Sequence, residues 1–153
     1  MPAKKLKEFL DAHQIKYATI RHSAAYTAQE IAALAHIHGK ELAKTVMVKV
    51  DGKMAMAVLP APNKVDMSRL RAAAGAESIG LATEAEFKSL FPDCETGAMP
   101  PFGKLYRMSV FASLTKDDEI AFNAGSHSEL IRMAYQDFER LVQPAISEFA
   151  ARP

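Results

Sequence analysis

The chain carries a single cysteine, Cys94, so no disulfide can form within it and the fold must rest on a hydrophobic core. That count suits a reducing compartment, and a cytoplasmic location is the expectation. No apolar run reaches the length of a membrane span, so no membrane association is expected. The charged segment Lys4-Lys5-Leu6-Lys7 has no apolar stretch of the kind a secretory signal needs, so none is expected. Neither sign of charge dominates. The 19 Lys and Arg against 18 Asp and Glu leave a net charge of +1, too little for a global field that draws in nucleic acid. Any such contact must be local. Lys4, Lys5, Lys7, Lys16 and Arg21 offer one patch, although such residues also form the solvated face of a first helix.

The familiar chemical signatures are missing too. No G-x-G-x-x-G or Walker sequence occurs, which excludes the common nucleotide cradles. No G-x-S-x-G elbow occurs, and Ser126 beside His127 reads as a polar turn rather than part of a triad. His36 and His38 lie two apart, on different sides of a helix, and no H-E-x-x-H or paired cysteines accompany them, so neither metal nor cofactor is expected. Cys94 lies between Asp93 and Glu95, whose charges raise a thiol pKa, so it reads as structural.

What is present is an ordinary globular composition, 49% apolar and 24% charged, over 153 residues. That is enough for one domain with a real core, here taken as 1–153. Leu6, Phe9 and Leu10 recur at helical spacing, and residues 17–22 alternate as a strand. Thr27-Ala28-Gln29-Glu30 is a capping box whose helix runs to about Gly39, with a short helical stretch then leading to Lys44. Residues 45–50 and 53–59 flank Asp51-Gly52, a strong hairpin signal. Pro60 and Pro62 close the second strand. A helix is expected over 66–74 and a short strand over 79–82. Thr83-Glu84-Ala85-Glu86 is a second capping box, opening a helix that ends before Pro92. Strands are expected over 105–111, 119–123 and 129–134, and a last helix over 137–149, interrupted at Pro144. The sum is an α+β domain whose strands pair in hairpins, not the βαβ alternation of a Rossmann fold.

Two features carry chemistry. Lys44 sits where helical pattern gives way to strand, which sets its ammonium at a cleft edge. The segment Gly97-Ala98-Met99-Pro100-Pro101-Phe102-Gly103 packs two glycines and two prolines into seven residues, a stiff backbone that can approach a ligand closely. A cation beside such a cradle suits a small carboxylic ester or amide. His22, at the end of a strand, is placed to line a pocket.

These residues resemble the YbaK-like superfamily, which includes the editing domain of bacterial prolyl-tRNA synthetases and free-standing aminoacyl-tRNA deacylases. The resemblance is carried by Tyr26 to Ala32, by Ala43-Lys44-Thr45-Val46, by Gly97 to Gly103, and by Asp118 to Gly125, in family order over most of the chain. It implies a mixed, mostly antiparallel sheet, partly closed into a barrel and flanked by helices. It implies hydrolysis of a mischarged aminoacyl-tRNA carrying a small amino acid, with the acceptor end as partner and an aminoacyl-tRNA synthetase as a further candidate partner. The free-standing members are the expected kin.

Lys44 matches the family's functional lysine, and Gly97 and Pro101 match the ends of its G-x-x-x-P loop; these three are the expected catalytic positions. The substrate-binding set it implies is His22, Tyr26 and Thr45, then Ala98, Met99, Pro100, Phe102 and Gly103 of the loop. Asn123, Gly125, His127 and Ser128 complete it, with Ser128 rather than His127 falling where some relatives carry a histidine. Two other readings stay open on sequence: a non-catalytic tRNA- or protein-binding module on the same fold, and a hydrolase of another small acyl ester or amide. Which amino acid is removed, and the oligomeric state, are not written in the sequence.

Overall fold

The computed structural model describes residues 4–22, 30, 42–114 and 118–152. Thr27, Ala28 and Gln29 of the first capping box, residues 31–41 of the helical segments expected behind it, and Tyr26, His36 and His38 lie outside these residues. Helix α1 (Lys4–Ala12) buries Leu6 and Leu10 and leads into β1 (Tyr17–Arg21). The long hairpin of β2 (Leu42–Val50) and β3 (Lys53–Pro60) turns at Asp51 and Gly52, whose φ values of 50° and 83° are the paired positive angles of a type I′ turn. The Asp51 carboxylate accepts from the N–H groups of Glu77 and Ser78, which ties the turn to the chain ahead of the fifth strand.

After β4 (Lys64–Val65), helix α2 (Met67–Ala74) starts at Asp66, whose side chain accepts from Arg69 N, and ends at Gly75 in the left-handed region. β5 (Ile79–Leu81) precedes α3 (Glu84–Phe87), whose capping box between Thr83 and Glu86 is complete in both directions. A 3₁₀ turn, Lys88–Leu90, extends it. Then come β6 (Ser109–Ala112), β7 (Glu119–Ser126), β8 (Glu129–Ala134), α4 (Tyr135–Val142), β9 (Ala145–Ile146) and β10 (Ala150–Ala151).

One mixed sheet runs β1-β8-β7-β2-β3-β6-β9, with β5 on β2, and β10 pairs with β4 in a small ribbon. The hairpins β2–β3 and β7–β8 are antiparallel, as are β1–β8 and β2–β5; β2–β7, β3–β6 and β6–β9 are parallel. Alternation along β2 sends Ala43 and Met47 into one core and Leu42, Val46 and Val48 to the other face. The first and larger core holds α1, α4, Phe102, Phe122 and Phe138. The rings of Phe102 and Phe122 stand 5.4 Å apart, and those of Phe102 and Phe138 5.8 Å. On the other face α2 and the β4–β10 ribbon cover Val48, Ala57 and Leu59 through Leu70 and Phe149.

Three elements differ from expectation, each for a tertiary reason. β2 begins at Leu42, so Lys44 is its third residue and not a helix-to-strand junction; parallel pairing of Leu42 and Ala43 with Ala121 and Phe122 extends the strand backwards. The strand expected over 105–111 starts only at Ser109, because Gly103–Leu105 forms a 3₁₀ turn and Gly103 O accepts from Tyr106 N and Met108 N. The last helix starts at Tyr135 and stops at Val142, with Gln143 left-handed at φ 52° ahead of Pro144. Beyond it, the chain pairs with β6 and β4 instead of resuming a helix.

Candidate active site

The site grows from a fork in the sheet. β2 and β7 pair in parallel at Leu42–Ala121 and Ala43–Phe122 and then part. Continuing that register sets Lys44 level with Asn123, on the face that carries Leu42 and Ala121. Beyond the fork, the edge of β7 is taken up by another segment. Glu95 N donates to Gly125 O at 2.8 Å, and Gly125 N donates to Ala98 O at 2.8 Å. The glycine-proline loop is thus stitched to β7 as a short strand-like rung beside the opening.

A local irregularity in β7 makes this possible. Asn123 opposes Leu130 and Ser126 opposes Glu129, so Ala124 and Gly125 are additional residues on β7. Gly125 adopts φ 89°, which a side chain would strain.

The loop has two different ends. Gly97, at φ 86°, is exposed and its N–H donates to Met99 Sδ at 3.2 Å. Ala98, Met99, Pro100, Pro101, Phe102 and Gly103 are buried. Met99 and Phe102 pack in the larger core, so the loop is anchored by apolar burial. Gly103 is required for packing: a Cβ there would meet Met108 O at 2.2 Å and Val110 Cγ2 at 2.7 Å.

Lys44 is half-buried on β2, opposite Leu59. Burial lowers its pKa from the usual lysine value, and the like charge of Lys64 on β4 lowers it further. These two ammonium groups give the fork a local positive field. Thr45 is half-buried on the opposite face, with Ala43 and Met47. His22 follows β1, and its backbone N–H donates to Ser128 O at 2.9 Å, which brings the end of β1 to the β7–β8 turn.

That turn consists of His127 and Ser128, both exposed. Ser126 Oγ lies 2.8 Å from Ser128 Oγ and so turns to its serine neighbour rather than to His127. His127 reaches the loop instead: its Nε2 is 2.6 Å from Thr96 O, and its backbone N–H donates to Glu95 Oε1 at 3.0 Å. The Ser126 hydroxyl, and after it that N–H, hold the Glu95 carboxyl below the usual carboxylate range. Cys94 is half-buried 3.5 Å from the Tyr106 hydroxyl, and burial pushes its thiol pKa up, as a structural cysteine requires. Among the described residues no group of three or more His, Cys, Asp or Glu is placed to hold a metal ion.

The loop contacts bring Gly97, Ala98, Gly125 and His127 together, His22 meets Ser128 through the backbone, and Lys44 and Asn123 directly follow the last parallel pair of β2 and β7. Glu95 and Thr96, which sequence reasoning passed over, take part through the loop. Their signal was only their place immediately before Gly97. Lys64 had no signal in the sequence, since β4 is a two-residue strand.

The sequence signature of the aminoacyl-tRNA editing domain matches residues 22–141. The chain belongs to that family. Two proteins of Escherichia coli, from strains K12 and O157:H7, both named multifunctional Ser/Thr-tRNA deacylase ProXp-y, are 32% identical over 127 residues, covering 76% of this chain and 75% of theirs. The fold agrees. A solved structure assigned provisionally to trans-editing for prolyl tRNA synthetase superposes with a TM-score of 0.83 at 16% identity, over 97% of this chain and 96% of that one. A hypothetical protein, APE2540, gives 0.83 at 18% identity, over 96% and 99%.

Proposed function

We propose that this protein is a trans-acting aminoacyl-tRNA deacylase that hydrolyses the ester of a mischarged tRNA bearing a small amino acid. The observation that carries the reading is the fork itself: a half-buried cation just past the last β2–β7 pair, and an exposed glycine in a loop anchored to the β7 side. The family and the deacylase relatives supply the substrate class.

An aminoacyl ester is already activated, so no strong protein nucleophile is needed. The work is to hold the ester, position water and stabilise the oxyanion. In this reading the stretch from Gly97 to Pro101 receives the ester at its exposed Gly97 end. Lys44 meets the terminal adenosine phosphate or the carbonyl as a point charge. Lys64 adds a second positive charge for the single-stranded acceptor end. Asn123 has both a donor and an acceptor for the ribose hydroxyl or the α-amino group. The hydroxyl beside the ester on the terminal ribose assists, which removes the need for a triad. His22 and Ser128 belong to the walls, while Thr45, on the opposite face of β2, supports the strand from the core side. A cytoplasmic setting and a synthetase partner accompany this reading.

Serine and threonine are the first candidates, because the relatives are named for those two. They differ by one methyl, and a methylene is worth only about 1–3 kcal/mol in a pocket, so exclusion must come by clash. The test is a panel of tRNAs charged with alanine, serine, threonine, cysteine and a large control residue. Release of one or two small residues with the large one spared supports the reading. Binding without hydrolysis would make the chain a tRNA-binding module. Equal cleavage of a simple amino-acid ester would make it a general esterase.

A further inference from the structure

The turn between β7 and β8 grips the loop at consecutive points. His127 Nε2 stands 2.6 Å from Thr96 O. A carbonyl can only accept, so this nitrogen carries the proton and Nδ1 is the nitrogen with the lone pair in the neutral ring. The same ring lies over Gly97: a Cβ built there would stand 3.4 Å from His127 Cε1 and 3.6 Å from Nε2. Two residues before Gly97, the Glu95 carboxylate accepts from His127 N. One residue after Gly97, Ala98 O accepts from Gly125 N. On its other side Thr96 is tied by its hydroxyl to Glu84 Oε1 at 3.2 Å. The exposed end of the loop has few apolar anchors, and Met99 and Phe102 secure only its far half. These polar ties are what define the backbone at Thr96 and Gly97.

We propose that His127 is a positioning residue: its Nε2–H, bonded to Thr96 O, fixes the Thr96–Gly97 backbone in the shape that receives the substrate ester. It acts as a hydrogen-bond donor through the loop and not as a general base. The proposal rests on the reading of that loop as the ester's seat. A base would have to act through Nδ1, which keeps its lone pair, whereas the positioning role uses only the Nε2–H already directed at Thr96 O. Glutamine supplies an amide donor at nearly the distance of Nε2 and has no basic nitrogen, so it separates the two roles.

The experiment compares the full-length chain with His127→Gln and His127→Ala in single-turnover deacylation of the mischarged tRNA that the wild-type protein cleaves best. Amide hydrogen exchange is read at Gly97, Ala98 and Gly125. A misplacement of about 1 Å can cost about a hundredfold in rate. His127→Ala should lose about tenfold to a hundredfold in the chemical step, with faster exchange at those three amides and unchanged exchange in β3. His127→Gln should restore both to within about threefold of wild type, the tolerance expected of a donor placed slightly off its original position. A glutamine variant as slow as the alanine variant, with its loop exchange restored, would overturn the proposal and give the imidazole a direct chemical role. An alanine variant with wild-type rate, or with unaltered exchange, would overturn it as well. If the wild-type chain cleaved no charged tRNA, the functional reading would fall separately, and the exchange data would still decide whether His127 holds the loop.

Discussion

Lys44 on β2 and Asn123 on β7 are the first residues beyond the last parallel pair of their strands, Ala43 with Phe122. Ordinary sheet edges close such a gap with further hydrogen bonds. Here the gap is flanked by the loop rung at Gly125 and carries a cation that the fold half-buries. A half-buried lysine with a lowered pKa costs folding free energy while it is charged. That cost is present below the folded-state pKa and fades as pH rises through it toward the unfolded value. In its charged form Lys44 therefore adds nothing to stability.

Lys44→Ala should accordingly fold with unchanged or slightly raised thermal stability at neutral pH. Its deacylation should fall by about a hundredfold or more, the scale of losing one electrostatic contact to a developing oxyanion. Calorimetry and single-turnover kinetics on the same preparation test this. Near wild-type turnover, or a large drop in melting temperature, would remove Lys44 from the site.

The charge state gives a second handle. Because burial first, and Lys64 second, lower the Lys44 pKa, the ammonium is lost at a pH below the ordinary lysine value. Substrate binding should weaken on the alkaline side earlier than a solvated lysine would allow. Arginine stays charged throughout. Lys44→Arg should therefore move that alkaline limb upward, even if its bulk lowers the plateau. Substrate affinity measured from about pH 7 to about pH 10, the range that brackets a lowered lysine pKa, checks the shift. Limbs that coincide in the two proteins would mean another group is responsible.

The two glycines that bound the loop should fail differently. At Gly97 the position of a Cβ is open apart from His127 at 3.4 Å, and only the φ of 86° opposes it. Gly97→Ala should cost about 1–2 kcal/mol through the left-handed backbone and reduce deacylation out of proportion. Gly103→Ala would force a Cβ onto Met108 O, and destabilisation of about 1–3 kcal/mol or more should dominate, as in an overpacked core. Denaturant midpoints set beside rates at a temperature where both variants are folded separate the two. A stable Gly103→Ala would contradict the packing role.

These contrasts also mark what was legible in the sequence. The Asp51-Gly52 hairpin, the Asp66 cap and the Thr83–Glu86 capping box were readable because each is a local rule satisfied within a few residues. The α+β class and the family followed from ordered short motifs. The start of β2 was not readable: Leu42 and Ala43 are good helix formers, and pairing with β7, far along the chain, overrides that preference. β9 is a two-residue strand fixed by β6, a partner distant in sequence, so the residues 137–149 looked like one broken helix. Within the site, Lys44 and Gly97 carried a signal, while Lys64, Glu95 and Thr96 acquire meaning only from what the fold sets beside them.

Lys64 offers the last prediction. It lies on β4, in the ribbon that covers the Lys44 side of the sheet, and its charge acts on Lys44. A second cation so near the first is unfavourable in the empty protein, and a phosphate between or beside them turns that repulsion into attraction. Lys64 is exposed, so its loss should not unsettle the core. Lys64→Glu should raise the tRNA concentration needed for half-maximal rate while leaving the single-turnover plateau close to wild type. Removing one lysine–phosphate pairing lowers the dependence of log affinity on log salt by about one. The salt slope of tRNA binding should therefore be shallower in Lys64→Glu by about that amount. An unchanged slope with unchanged affinity would mean that the acceptor end passes elsewhere, and that Lys44 meets its phosphate alone.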